Sequence, residues 1–143
     1  MEGIFAIMSP QYSWRPHDPD RSVLLVDDAI ETRMALAELL RLQGFLVYQA
    51  ANGRTGLNTL QRHPEIKVIV LDLLMQGSDG WAFRYGQLKD PLIAHIPVIV
   101  FTATRETEWI RVALRTKTVL HKPTGVGDLL IAVAAACDEA AAQ

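Results

Sequence analysis

The side chains best placed to do chemistry in this chain sit directly after short apolar runs. Asp27 and Asp28 follow Val23-Leu24-Leu25-Val26, and Asp72 follows Val68-Ile69-Val70-Leu71. Thr102 follows Val98-Ile99-Val100-Phe101, and Lys122, ahead of Pro123, follows the weaker Thr118-Val119-Leu120-His121. Runs of this kind read as strands covered on both faces. In an open parallel α/β sheet the carboxyl ends of the strands open onto one crevice, so three carboxylates, a hydroxyl and an ammonium should meet there. Crowded carboxylates repel, and an all-oxygen set of this sort suits Mg²⁺. Lysine and threonine beside a metal-held carboxylate suit a phosphoryl group. Each residue also has a plainer reading. Asp28 would suit a helix N-terminus, Thr102 has ordinary β propensity, and Lys122 would serve as a solvated charge. Their common register at strand ends favours the functional reading.

The elements that must position these residues follow from periodicity and punctuation. Residues 1–21 carry Ser9-Pro10 and Arg15-Pro16-His17-Asp18-Pro19-Asp20 without a period, and read as an N-terminal extension. Its apolar residues, Ile4, Phe5, Ile7, Tyr12 and Trp14, are available to pack on the domain or on a partner, with packing on the domain or plain disorder as the expectation. From residue 22 to residue 143 one domain is expected, with strand and helix alternating. Helices are predicted over 30–43, 53–62, 81–89, 106–115 and 128–139, and a loop over 77–80. On the first helix Ile30, Met34, Ala37 and Leu40 or Arg41 mark the apolar side, and Gly44 supplies the stop. Five β–α units at this spacing imply a parallel sheet, helices on both faces and right-handed crossovers.

Bulk composition narrows the field further. A chain of 143 residues with 50% hydrophobic content has enough material for one packed core. A net charge of −2 gives no electrostatic case for nucleic acid or an anionic membrane. Cys137 is the single cysteine and has no internal partner, which fits a reducing compartment. No apolar run approaches membrane-spanning length, and Gly3 to Met8 is too short for a signal-peptide core. The expected location is cytoplasmic. His17, His63, His95 and His121 show no metal-ligand spacing, and no glycine-rich phosphate loop is present.

Taken together, Val-Leu-Leu-Val-Asp27-Asp28, Val-Leu-Asp72-Leu-Leu-Met75 with Asp79-Gly80, Phe-Thr102-Ala103 and His-Lys122-Pro123 resemble the receiver domain of two-component response regulators, over roughly residues 22–136. The resemblance implies a flavodoxin-like five-stranded parallel sheet of order 2-1-3-4-5. It implies a single-domain response regulator, a phosphoacceptor and not an enzyme in the ordinary sense. Asp72 would take a phosphoryl group from the phosphohistidine of a histidine kinase or histidine phosphotransfer protein, and the chain would signal by contact with a downstream protein, as a monomer or weak dimer. Asp28 and Asp72 would hold Mg²⁺ with the Leu74 carbonyl, and Asp27 would act through a metal-bound water. Lys122 and Thr102 would meet phosphoryl oxygens, with the Ala103 and Leu74 N–H groups completing the cradle. The Lys122-Pro123 bond is cis in the family.

The chain departs from the family pattern in several places. Gln76 stands where proline is usual. Val119 stands where the family carries a tyrosine or phenylalanine that changes rotamer. The Arg115-Thr116-Lys117-Thr118 stretch is shorter than usual, and Thr124 replaces an apolar residue. The last three changes fall around the fourth helix, fifth strand and last helix, a face through which many receivers dimerise or meet partners. They motivate an alternative, a receiver-like adaptor whose output is independent of phosphate. Trp109 on the fourth helix is a candidate partner contact, with packing on its own domain as the other reading. Leu74 and Thr104 flank the site and are poorly suited to align water, which predicts slow self-dephosphorylation. A phosphohydrolase would need an acid or base just after Asp72, where Leu73 and Leu74 stand. A flavin phosphate would be repelled by the acidic crevice.

Overall fold

A computed structural model describes residues 18–75, 79–105, 107–122 and 125–142. The apolar residues of positions 1–17, and Gln76, Pro123 and Thr124, lie outside that set, so the expectations placed on them are not addressed. Five strands and five helices alternate among the described residues: β1 (Asp18–Val26), α1 (Ile30–Leu42), β2 (Phe45–Ala50), α2 (Gly53–Arg62), β3 (Val68–Leu71), α3 (Asp79–Leu88), β4 (Val98–Thr102), α4 (Thr107–Leu114), β5 (Thr118–His121) and α5 (Val126–Ala141). Every strand pair is parallel, and the order is β2-β1-β3-β4-β5, as expected. The chain winds from β1 to one edge and then, through β3, to the other. The switch point therefore lies between the ends of β1 and β3, where ligands bind in open sheets of this type.

The apolar runs are continuous because β1 is buried on both faces. Val23 and Leu25 pack with Leu36, Ala37 and Leu40 of α1 and with Leu129, Val133 and Cys137 of α5. Leu24 and Val26 face the other way, towards Leu60 of α2, Phe83 of α3 and Ile110 and Leu114 of α4. Each such side chain contributes roughly 1.5–3 kcal/mol relative to exposure. Burial also pushes the Cys137 thiol up to about 12, which leaves it an inert packing group.

Local differences from the sequence reading have identifiable causes. β1 starts at Asp18, inside the stretch read as extension. Asp18 accepts the Asp20 N–H at 2.9 Å, and the Arg21 guanidinium lies 4.4 Å over the Phe45 ring and 3.3 Å from Asp138. One local and two long-range contacts thus hold a segment that has no period of its own. On α1 the buried residues are Leu36, Ala37 and Leu40, while Ile30 and Met34 are exposed. Arg33 takes the half-buried position one turn earlier, donating Nη1 to the Asp27 carbonyl at 2.8 Å and Nε to Gln49 at 3.1 Å. α3 begins at Asp79, so Asp79-Gly80 opens a helix instead of closing a loop. The Asp79 carboxylate accepts the Gly53 N–H at 2.6 Å and so caps α2 from outside, while Asn52 caps it from within. α2 and α3 approach closely because glycine lies between them: a Cβ on Gly56 would stand 2.9 Å from the Phe83 ring.

α4 ends in a Schellman-type turn. Thr116 N–H reaches Arg111 O at 3.1 Å and Arg115 N–H reaches Val112 O at 3.3 Å. Arg115 itself has φ 51°, the left-handed region where glycine is usual.

Candidate phosphoacceptor site

The strand ends bring the predicted acidic residues together. Asp72 N–H extends the sheet by donating to Val26 O at 3.0 Å, which sets the end of β3 beside the end of β1. Asp27, Asp28 and Asp72 each offer a carboxylate oxygen within 4.8 Å of the others. Asp27 and Asp72 are buried and Asp28 is exposed. Asp27 is held firmly: Oδ1 accepts the Ala29 N–H at 2.9 Å and Oδ2 accepts Lys122 Nζ at 2.7 Å. Asp72 Oδ1 accepts the Leu74 N–H at 3.0 Å, and its Oδ2 lies 3.5 Å from Lys122 Nζ. Lys122 therefore bridges two carboxylates, with its ammonium 5.6 Å from the centre of the Phe101 ring. Its own N–H donates to Thr102 O at 2.9 Å, which ties the end of β5 to the end of β4.

The electrostatics are unbalanced. Burial, chiefly, holds the Asp72 carboxyl above its ordinary value of 3.8. The Leu74 N–H and the Lys122 charge pull the other way, and the neighbouring Asp27 adds to the rise. Three carboxylates within reach of one another form a donor set of hard oxygens. The residues present thus fit a divalent cation of the Mg²⁺ kind on their own chemistry.

The remaining predicted residues sit around this core. Thr102 is fully buried and its Oγ1 accepts the Thr104 N–H at 3.4 Å. Ala103 and Leu74 are exposed beside the site. His121 pairs with Thr102 across β4 and β5. A hollow of about 550 Å³ lies at the opposite end of the strands among Lys67, Pro97 and Thr118, and holds none of these residues. The strand-end crevice is the better candidate because the chemistry converges there, and a phosphoryl group needs charge more than volume. Arg33 escaped the sequence reading, and Gly80 was read there only as part of the Asp79-Gly80 motif. Arg33 anchors the Asp27 backbone, and Gly80 lies so near Asp72 that a Cβ would be 2.8 Å from its carbonyl oxygen. The Asp-Gly signal was visible, but its contact with Asp72 is made only on folding.

Comparisons with known proteins agree with this arrangement. The family model for the response regulator receiver domain matches residues 23–134. Chemotaxis protein CheV3 of Helicobacter pylori is 35% identical over an 86-residue alignment that covers 54% of this chain and only 28% of that protein. The chemotaxis protein CheY4 of Vibrio cholerae, solved at low pH, superposes with a TM-score of 0.71 and 27% identity, covering 78% of this chain and 94% of that one. The CheX-CheY-BeF3-Mg complex of Borrelia burgdorferi gives 0.69 and 25%, covering 81% and 91%. With the sheet order, the acidic crevice and the matched segment in agreement, the chain belongs to the response regulator receiver domain family.

Proposed function

We propose that this chain is a phosphoacceptor that takes a phosphoryl group from a phosphohistidine, on a histidine kinase or histidine phosphotransfer protein, onto Asp72, and signals by protein–protein contact. The observation that carries this reading is the convergence of Asp27, Asp28 and Asp72 with Lys122 Nζ lying between two of them. Asp72 Oδ2 is the attacking atom, because Oδ1 is engaged by the Leu74 N–H. The O–P bond forms as the P–N bond of the donor breaks, and the histidine leaves with the electron pair. Lys122 moves from Asp27 towards a phosphoryl oxygen and neutralises it. The Thr102 hydroxyl donates to a second oxygen, and the Ala103 N–H completes the cradle. Asp28, Asp72 and the Leu74 carbonyl would hold Mg²⁺, with Asp27 acting through water. Such an ion would offset carboxylate repulsion and phosphoryl charge. The product is a mixed anhydride, suited to transfer or hydrolysis. Leu74 is exposed and apolar, and neither it nor Thr104 offers a carboxylate to align water, so self-dephosphorylation is slow. A half-life of seconds in purified protein would count against that.

The test is intact mass after incubation with Mg²⁺ and a small acyl phosphate, beside Asp72→Asn. A single phosphoryl adduct, lost in the variant, supports the proposal. No adduct from the small donor or from a histidine kinase, with the protein folded, overturns it. That second result would favour a phosphate-independent adaptor. Val119 is the observation behind this alternative: it packs half-buried against the Leu24–Val100 side of the core and has no ring to move.

A further inference from the structure

α3 starts on the backbone of the phosphoacceptor. A Cβ on Gly80 would lie 2.8 Å from the Asp72 carbonyl oxygen and 3.1 Å from Leu73 Cα. The first turn of α3 and the segment carrying Asp72 therefore share a surface with no slack between them. Two side-chain contacts then carry α3 to α4. The Trp81 ring meets the Trp109 ring edge-on, with centroids 5.0 Å apart and planes at 64°. Almost one turn further on, Arg84 is buried and donates Nε to Leu114 O at 2.9 Å and Nη2 to Arg115 O at 3.0 Å. Those carbonyls lie at the negative end of the α4 dipole. Arg115 is the residue held at φ 51°, and Thr116, which follows it, donates its hydroxyl to Val98 O. Gln87 accepts Arg84 Nη1 at 2.6 Å and donates to Ile93 O and Ile96 O, which fixes the guanidinium from behind.

We propose that α3 is a lever between the Asp72 site and the α4–β5 junction, with Arg84 as its positioning residue and Trp81–Trp109 as a second hold. The proposal rests on reading Asp72 as the phosphoacceptor. A phosphoryl group on Asp72 displaces the segment against Gly80, and α3 follows. The guanidinium is buried and each of its nitrogens holds an acceptor, so giving up its carbonyl partners costs hydrogen bonds and it passes the displacement on. Packed contacts of this kind move between discrete arrangements and do not deform gradually. The route reaches β5 from below, through Arg115 and Thr116, and needs no ring at Val119.

The experiment uses the full chain with Mg²⁺ and a small acyl phosphate. Intact mass reports phosphoryl occupancy, and amide hydrogen exchange is followed over residues 107–121 with and without the donor. In the wild type, phosphorylation should change exchange there several-fold. In Arg84→Met at equal occupancy the change should fall below half of that, and in Trp109→Ala it should also diminish. A merely structural role would shift exchange equally with and without the phosphoryl group. An undiminished response in Arg84→Met, or no response in the wild type despite a full adduct, overturns the lever and leaves the phosphoacceptor reading intact. If Arg84→Met does not fold, Trp109→Ala, which alters an exposed residue, decides by the same criterion. No adduct on the wild type from either donor class overturns both readings.

Discussion

The crevice at the strand ends and the seam between α3 and α4 both take charge out of water, and they treat it differently. At the crevice, carboxylates outnumber the single ammonium, and Asp72 is held above its ordinary value by burial and by Asp27. At the seam a single guanidinium has every donor nitrogen engaged, on Leu114 O, Arg115 O and the Gln87 side chain. Burial lowers the Arg84 value, and the Arg115 charge adds to the lowering. The neutral carbonyl dipoles of a helix end still satisfy it. A cluster in which each donor nitrogen already holds an acceptor is structural. The crevice, with three carboxylates close together, gains from a cation or a phosphoryl group, and the tension among them is what a ligand relieves.

That contrast can be broken by measurement, beginning with the seam. Arg84→Ala removes three donors and leaves buried carbonyls unpaired, so it should lose about 3–4 kcal/mol in chemical denaturation. A loss below about 1 kcal/mol would mean that water enters the seam and that it is not saturated. The crevice should respond in the opposite sense to a cation. Mg²⁺ at a hundredfold excess over its Kd should add about 2.7 kcal/mol, and Asp28→Asn should remove most of that gain. An unchanged midpoint with Mg²⁺ would break the comparison at its other end.

Two smaller effects sharpen it. The folded Asp72 value lies above that of the unfolded chain, so the folded state binds this proton more tightly. Its contribution is present below the usual 3.8 and is lost as pH rises through the raised folded value. In chelator at neutral pH, Asp72→Asn should therefore be more stable than the wild type, with the advantage disappearing in acid. A thermal melt series in pH would show it, and a less stable variant at pH 7 would refute the tension ascribed to the crevice. At the seam, Arg115→Gly relieves a left-handed residue without touching its carbonyl. It should gain about 0.5–1 kcal/mol after the entropy of glycine is counted, read as a rise in Tm. A loss would show that the Arg115 side chain itself holds the turn.

Much of the site was legible because it depends on strand ends. Apolar runs buried on both faces have to stop where polar residues begin, so Asp27, Asp72, Thr102 and Lys122 announced their positions without any knowledge of packing. The sheet order came with the motifs. Other features were not legible, for physical reasons. Asp79-Gly80 carries a turn signal, yet it starts α3, because the Asp79 carboxylate finds Gly53 and Gly80 finds the Asp72 backbone. Ile30 and Met34 have helical spacing, but α1 is rotated so that Arg33 reaches Asp27 and Gln49. Trp109 was open between partner contact and packing. It packs edge-on against Trp81 and stays 60% exposed, so packing on its own domain is what the fold shows.

The sequence by itself determined the alternation of strand and helix, the residues that end each strand and the acid-rich character of the crevice. These are properties of neighbours along the chain, fixed by burial and by the pleat. The tertiary structure alone decided which carboxylates Lys122 bridges, where a polar residue replaces an apolar one on α1, and that Arg84 clasps the end of α4. Those choices depend on which faces the helices turn towards one another. That is settled by close approach at residues such as Gly56 and Gly80, where the lack of a side chain leaves no mark in any local pattern.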